Sequence, residues 1–266
     1  MTDRLVAPEM ERYQAHLALP GFGPEGQARL AAARVLLVGV GGLGCPAAQY
    51  LVAAGVGVVT LVDDDTVERT NLQRQILFND DDLGQPKVDA ARRSLRGMNA
   101  AVAIVARRER LVATNARSIV AGHDMVIDGS DNFATRYVVN DACGLERIPL
   151  ASGSVYRHEG QVAVFDPPRT PCYRCVFPEA LAAEPPCHDA GVLGPVAGII
   201  GTALASIVIQ RVVGCADPLA GRLWIFDGAT MTAHSVALEQ AADCPLCGAT
   251  PTIFEPTAVA HRSPTS

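Results

Sequence analysis

Short apolar runs alternate with longer stretches of helical periodicity over the first half of the chain. The first run, Val35 to Val40, is wholly apolar and rich in β-branched residues, which is typical of a parallel strand buried on both faces. A helix-compatible stretch follows from Leu43 to Ala54, and Val58 to Val62 predicts the next strand. The same alternation predicts helices over 88–98 and 115–121 and strands over 102–105 and 125–127. Strands that alternate with helices need crossover connections, which join parallel strands of one sheet.

The pattern changes after about residue 150, where it predicts antiparallel strands over 161–165 and 223–226. A loop rich in proline and cysteine, residues 166–191, and an apolar helix lie between these two strands. We therefore predict a doubly wound, Rossmann-like α/β sheet that is mostly parallel, with a C-terminal antiparallel extension.

The chain has 266 residues, which fits one large α/β unit better than two full domains. The turn-rich segment from Pro20 to Gly26 predicts that residues 1–30 form an N-terminal helical arm. We place a single domain over 31–248. Residues 249–266 are rich in proline, threonine and alanine without periodicity, and we expect a poorly ordered tail there.

The apolar segment 192–209 is long enough to cross a membrane by length alone. It contains three glycines and one proline, lacks flanking basic clusters and stands alone in the chain. We therefore interpret it as a buried or subunit-interface helix, and we expect no membrane partner.

Charge and cysteine usage narrow the class of protein further. Lysine and arginine number 22 against 28 acidic residues, so the net charge is −6 and DNA binding is not expected. Eight cysteines are too sparse for a disulfide scaffold, and the start of the chain lacks the apolar core of a signal peptide. We expect reduced thiols and a cytoplasmic location.

A glycine-rich loop follows the first predicted strand and precedes a helix. Such glycines let backbone N–H groups approach phosphates at a helix N-terminus. Asp63 ends the next strand, where a carboxylate can bind ribose hydroxyls. The pattern predicts a nucleotide site, but it does not distinguish NAD from ATP. The glycines are Gly39, Gly41, Gly42 and Gly44.

Cations and acids further along help to choose the nucleotide. Arg74 and Lys87, with Asn71 close by, suit a triphosphate, although a solvated basic face is the alternative. Asp131 and Asn132 follow the strand at 125–127, at the sheet edge where such folds bind ligands. An acid there is either a Mg²⁺ ligand or a helix N-cap, and the local sequence leaves both open.

Two CxxC pairs supply four thiols, a set that suits structural zinc. Their separation is longer than in a zinc ribbon, so a redox pair or buried thiols remain alternatives. Cys187 lies beside His188 in a polar loop and is a candidate nucleophile. Cys45, Cys143 and Cys215 fall in apolar helical patterns and are interpreted as packing residues. The paired cysteines are Cys172 and Cys175, then Cys244 and Cys247.

The ordered set of these motifs resembles the bacterial ThiF/MoeB/HesA family, relatives of the ubiquitin-activating enzymes. The set comprises the glycine loop, Asp63, the segment from Asn71 to Gln75, Lys87, the Asp131–Asn132 pair and the first CxxC. The resemblance implies an adenylyltransferase that uses ATP and Mg²⁺ to activate the C-terminal glycine of a ubiquitin-like sulfur carrier of the ThiS/MoaD type.

The resemblance also implies roles for individual residues. Asp63 would bind the ribose, Arg74 and Lys87 the phosphates, and Asp131 the magnesium. We add Asp65, Asn71 and Asn132 to the candidate nucleotide-binding residues. The four paired cysteines would hold zinc, and Cys187 would become covalently joined to the carrier in ThiF-like members, whereas MoeB-like members work without such a bond.

The sequence departs from the family near its N-terminus, where an arginine that crosses a homodimer to the partner's ATP is usual. Ala15 occupies that position, so Arg12 or His16 would have to substitute. No rhodanese domain follows the second CxxC, so a sulfur donor protein would act in trans. The alternatives are an NAD(P)-dependent oxidoreductase, a nucleotide-binding scaffold with little turnover, and adenylation of a peptide or RNA.

Overall fold

The computed structural model describes residues 11–178 and 191–257. A single sheet of eight strands runs through this part of the chain, in the order β3-β2-β1-β4-β5-β6-β7-β8. The strands are β1 (Arg34–Val38), β2 (Val58–Val62), β3 (Ala103–Arg107), β4 (Met125–Asp128), β5 (Leu150–Tyr156), β6 (Glu159–Phe165), β7 (Arg222–Asp227) and β8 (Thr232–Ala237).

Pairing in the sheet changes from parallel to antiparallel between β5 and β6. β1 pairs in parallel with both β2 and β4, so that Leu36 lies opposite Thr60 on one side and Val126 on the other. β5 continues the parallel part, whereas β6, β7 and β8 are antiparallel to their neighbours. The predicted doubly wound sheet with a C-terminal antiparallel extension is therefore confirmed.

The predicted helices are present with shifts of one to four residues at their ends, and the short helix Tyr173–Val176 lies in the segment that was predicted as a loop. The helices are α1 (Gln14–Leu17), α2 (Gly23–Ala32), α3 (Gly44–Ala54), α4 (Lys87–Met98), α5 (Ala113–Val120), α6 (Phe133–Glu146), α7 (Tyr173–Val176) and α8 (Gly194–Val213). α3, α4 and α8 pack on one face of the sheet, and α5 and α6 pack on the other. The central parallel strands β1, β2 and β4 are buried on both faces, which explains their largely apolar sequences.

The apolar helix α8 packs inside the domain. By length and composition it is apolar enough to cross a membrane, but half of its most apolar window is buried inside the protein. It lies against α3 and against strands β5 and β6. Its buried residues include Ile200, Leu204 and Val208. The interpretation as a core helix is therefore confirmed for the buried side of α8.

Both ends of the described chain contact this core. Leu30 on α2 is fully buried, and α2 crosses the predicted boundary between the 1–30 arm and the 31–248 domain. At the other end, the backbone N–H of Thr257 donates to the Asp141 carboxylate at 3.0 Å. The first part of the expected tail therefore lies against α6, and residues 258–266 lie outside the described residues.

Candidate active site

A cleft of about 240 Å³ opens at the carboxyl ends of β1, β2 and β4. The chain enters β1 and then builds β2 and β3 on one side and β4 on the other, so this edge is the topological switch point where α/β folds bind ligands. Most of the candidate residues meet there. The cleft is lined by Gly39, Gly41, Gly42, Asp63, Asp65, Arg74, Lys87, Asp131 and Asn132.

The glycine loop forms the floor of the cleft. Gly39 has a φ of 85°, in the left-handed region, and a Cβ there would lie 3.0 Å from the carbonyl oxygen of Gly129. A Cβ at Gly44 would overlap the carbonyl oxygen of Gly39, although Gly44 itself does not line the cleft. Gly44 is thus required for the loop to pack on the start of α3, and Gly41 and Gly42 face the cleft.

Asp63 is held in a fixed orientation at the end of β2. Its carboxylate accepts hydrogen bonds from the backbone N–H groups of Val40, at 2.7 Å, and Asp65, at 2.8 Å. Burial raises the pKa of Asp63, and the nearby Lys87 ammonium opposes that rise. The carboxylate is therefore anchored by the backbone of the loop that surrounds it.

Lys87 brings a buried cation to the same wall. Its side chain is 6% exposed, and its ammonium lies 2.8 Å from the carboxylate of the exposed Asp65. The first turn of α4 holds Lys87 in place, because the helix begins at this residue. A bound phosphate would exchange one anionic partner of Lys87 for another.

Arg74 is oriented by the segment that precedes it. Its guanidinium donates to the side-chain oxygen of Asn71 at 3.0 Å and to the carbonyl of Thr70 at 3.2 Å. Arg74 lines the cleft, whereas Asn71 does not. The structure therefore places Asn71 behind Arg74, as the residue that orients it, and not on the cleft wall where we expected it.

Asp131 and Asn132 differ in their roles: Asn132 caps a helix, and Asp131 faces the cleft. The Asn132 side chain caps α6 by accepting a hydrogen bond from the backbone N–H of Thr135 at 2.9 Å. Asp131 is exposed and lines the cleft, and no hydrogen bond of its carboxylate is found within residues 11–178 and 191–257. The carboxylate of Asp131 is thus left available for a ligand or a metal ion.

Gln75 and Arg136 are two of several polar residues that line the cleft and that the sequence did not assign to the site. Gln75 is 3% exposed, and its Oε1 has no hydrogen-bond partner within the described chain. Gln75 lies within the segment from Asn71 to Gln75 that supported the family resemblance, so the sequence did contain a signal that Gln75 belongs to the site. Arg136 is 8% exposed, and nothing local distinguishes it from an ordinary polar residue of a helix.

The four paired cysteines converge on one point beside α7. Their Sγ atoms lie within 4.8 Å of one another, with separations of 3.8 Å between Cys172 and Cys175 and 3.4 Å between Cys175 and Cys247. Zinc–sulfur bonds of about 2.3 Å in a tetrahedron place the sulfurs about 3.8 Å apart, so the set fits zinc. A hydrogen bond between Cys172 and Cys247 lowers the pKa of Cys247 to about 5 and raises the pKa of Cys172, so it favours one thiolate in this pair.

The other cysteines divide into two kinds. Cys45 and Cys143 are buried, as packing residues should be. Burial raises the pKa of Cys45 to about 12 and that of Cys143 well above its ordinary value, so both remain thiols. Cys215 is exposed, so its interpretation as a packing residue is wrong: α8 ends at Val213, before the apolar pattern does. Cys187 and His188 lie outside the described residues.

The residues near the N-terminus lie away from the cleft. Ala15 is exposed on α1. The Arg12 guanidinium donates to the carbonyl of Met98 at 3.2 Å. His16 is within hydrogen-bond distance of Gln27, at 3.1 Å, and its ring contacts that of Phe22. None of the three lines the cleft of its own chain.

Comparison with known proteins gives consistent matches over nearly the whole chain. The model of the ThiF family matches residues 13–246. The SAMP-activating enzyme E1 of Haloferax volcanii is 45% identical over 250 residues, which are 93% of this chain and 92% of that protein. The sulfur carrier protein adenylyltransferase of Thermus thermophilus is 43% identical over 256 residues, 94% of each chain.

Solved structures with the same fold include a crystal structure of E. coli MccB with MccA-N7isoASN. The TM-score is 0.79 and the sequence identity is 23%, over 89% of this chain and 74% of that one. At this identity the likeness concerns the fold alone.

Proposed function

The chain belongs to the ThiF family and is an adenylyltransferase, and we propose that it uses ATP to activate the C-terminal glycine of a small ubiquitin-like sulfur-carrier protein. One observation carries the proposal: Arg74, Lys87 and Asp131 face the same cleft as the glycine loop and Asp63. An NAD(P)-dependent oxidoreductase would need only the glycine loop and Asp63, whereas binding of a triphosphate also needs the cations Arg74 and Lys87.

The reaction follows from the charges on the cleft wall. The Asp63 carboxylate would accept hydrogen bonds from the ribose hydroxyls. The backbone N–H groups of the glycine loop and the N-terminus of α3 would face the phosphates. A carboxylate oxygen of the terminal glycine attacks the α-phosphorus, the bond from that phosphorus to the pyrophosphate oxygen breaks, and pyrophosphate leaves. Lys87 and Arg74 stabilise the negative charge that moves onto pyrophosphate.

Mg²⁺ fits the same site through Asp131. The exposed carboxylate offers the oxygen ligand that magnesium prefers, and most of its coordination shell would come from phosphates and water. When bound, the ion would neutralise phosphate charge. Asn132 keeps α6 in place, so the position of Asp131 does not depend on the metal.

The proposed function is tested by ATP–pyrophosphate exchange that depends on the carrier. Purified protein should incorporate labelled pyrophosphate into ATP only when a ubiquitin-like protein ending in Gly-Gly is present. The same protein lacking its last glycine is the matched control. Exchange supported equally by an unrelated peptide or by RNA would favour the alternative substrates instead.

Zinc in the cysteine cluster would have a structural role. It would connect α7 to the residues after β8, a region with a small hydrophobic cluster of its own. Elemental analysis is expected to find one Zn²⁺ per chain. Cys244→Ser should lose the zinc, and Cys215→Ser, which alters an exposed thiol outside the cluster, should retain it. Wild-type protein with almost no zinc and four reactive thiols would contradict the assignment.

We propose a homodimer in which each partner approaches the other's cleft with its N-terminal residues. A groove beside α1 is lined by apolar residues that remain accessible, among them Leu19, at 52% exposure, and Tyr50, at 54%. A second copy of the chain would cover them.

Sulfur would come from a separate donor protein, and a covalent role for Cys187 stays a hypothesis.

Ala15 leaves this proposed dimer without the family's trans arginine. Ala15→Arg is expected to raise carrier adenylation by about 10-fold, a fraction of the ~10³–10⁵ that a trans arginine supplies, because the surrounding residues are not shaped for it. Single-turnover rates decide the matter. Gln14→Arg, at the neighbouring exposed position, is the matched control. Equal rates for wild type and Ala15→Arg, with activity lost in Arg12→Ala, would show that Arg12 already compensates.

A further inference from the structure

Arg136 forms part of the cleft wall on the side of β5. It lies in the first turns of α6 and is 8% exposed. Its guanidinium donates to the carbonyl of Ser130 at 2.7 Å and to the carbonyl of Gly153 at 2.9 Å. These two bonds hold the loop after β4 against β5 and fix the plane of the guanidinium.

Within the described part of the chain, the charge of Arg136 lacks the carboxylate partner that the other buried cations have. Three cations are buried in the part of the chain that the structure describes, and two of them pair with carboxylates. Lys87 pairs with Asp65, and Arg174 binds both oxygens of Asp141 at 2.6 and 2.7 Å. No carboxylate of the described residues lies within ion-pair distance of Arg136.

A buried charge without a counter-charge is unfavourable, so an anion that reaches Arg136 is bound strongly. The guanidinium has five donors, and the two carbonyl bonds leave others available. A guanidinium binds a carboxylate in a planar, two-point geometry. The environment of Arg136 therefore suits a carboxylate that arrives with a substrate.

The position of Arg136 in the cleft indicates which of the two substrates, ATP or the carrier protein, it would bind. Asp63, which would bind the ribose, ends β2, and the strand order places β1 and β4 between β2 and β5. Arg136 bonds to β5, where Val155 and Val192 supply apolar walls to the cleft. This side of the cleft suits a narrow chain end without bulky or charged side chains, such as Gly-Gly, which ends in a carboxylate.

We propose that Arg136 binds the C-terminal carboxylate of the carrier and orients one oxygen toward the α-phosphorus. The inference rests on the proposed function. As the new phosphorus–oxygen bond forms and pyrophosphate leaves, the carboxylate loses its charge and no proton is transferred. Arg136 thus binds the ionised chain end more strongly than the adenylate formed from it.

The test compares two forms of one probe, the organism's ubiquitin-like protein ending in Gly-Gly, prepared with a C-terminal carboxylate or a C-terminal carboxamide. Wild-type protein should bind the carboxylate form about 10–100-fold more tightly. Arg136→Gln should lose that preference, raise the KM for the carrier by a similar factor, and leave the KM for ATP within about twofold. Arg136→Lys should restore part of the preference.

Arg92→Gln, an exposed position on α4, is the matched control. Thermal melting shows whether Arg136→Gln is folded. If it is not, the test relies on the affinities of wild-type protein and of Arg136→Lys for the two forms of the probe. Equal affinity of wild type for the two probes would overturn the inference, as would an unchanged preference in a folded variant. Failure of the proposed function would appear differently, as wild-type protein without carrier-dependent exchange.

Discussion

Asp131→Ala is expected to lower Mg²⁺-dependent ATP–pyrophosphate exchange by ~10²–10³, the loss typical of removing one preorganised charged group from an active site. The carboxylate faces the cleft and makes no hydrogen bond within the described residues, so its removal should leave the fold intact. The cap of α6 belongs to Asn132 and remains in the variant.

Initial exchange rates over a range of Mg²⁺ concentrations test this expectation. Asp89→Ala is the matched control, because Asp89 is a half-exposed carboxylate on α4 that pairs only with Arg92 among the described residues. Asp131→Asn should require more Mg²⁺ for half-maximal exchange. Wild-type exchange in folded Asp131→Ala would remove this residue from the mechanism.

Lys87→Met is expected to lower the same exchange by about 10²-fold, because the cleft loses a fixed cation beside the phosphates. Methionine has a similar length and fills the buried space that the lysine stem occupies. Its partner Asp65 is 65% exposed, so breaking the ion pair leaves a solvated carboxylate and stability should change little.

Pre-steady-state adenylation rates and melting temperatures separate the chemical effect from a folding defect. Arg92→Met removes a cation from the exposed side of the same helix and should retain activity. Wild-type rates in Lys87→Met would assign phosphate binding to Arg74 alone. A melting temperature far below that of wild type would instead identify the Lys87–Asp65 pair as structural.

The strands that the sequence predicted well are those buried on both faces. Val58–Val62 was predicted with its observed bounds, β1 differs from prediction by one residue at its start and two at its end, and β4 by one residue at its end. β5, with the sequence Leu-Ala-Ser-Gly-Ser-Val-Tyr, and β8, whose residues are mostly exposed, were missed. Their sequences lack an apolar pattern because β5 is stabilised largely by its neighbours and β8 is an edge strand.

The candidate site was predictable where local pattern and topology coincide. A polar residue that closely follows a buried parallel strand lies near the carboxyl edge of the sheet, so Asp63 and Asp131 were both expected at that edge, and the resemblance then gave their roles. The local sequence made Arg74 and Lys87 candidates for a triphosphate, and the resemblance favoured that role over a solvated basic face. The structure brings all four to one cleft.

The sequence by itself determined the parallel core, the nucleotide loop and the set of four thiols, because periodicity, glycine placement and ligand type are local properties of the chain. Only the tertiary structure decided that Asn71 lies behind Arg74, that Asn132 and not Asp131 caps α6, and that Arg136 is a buried cation without a carboxylate partner among the described residues. Burial and pairing depend on distant segments packed around a side chain, and no local pattern records which segments those will be.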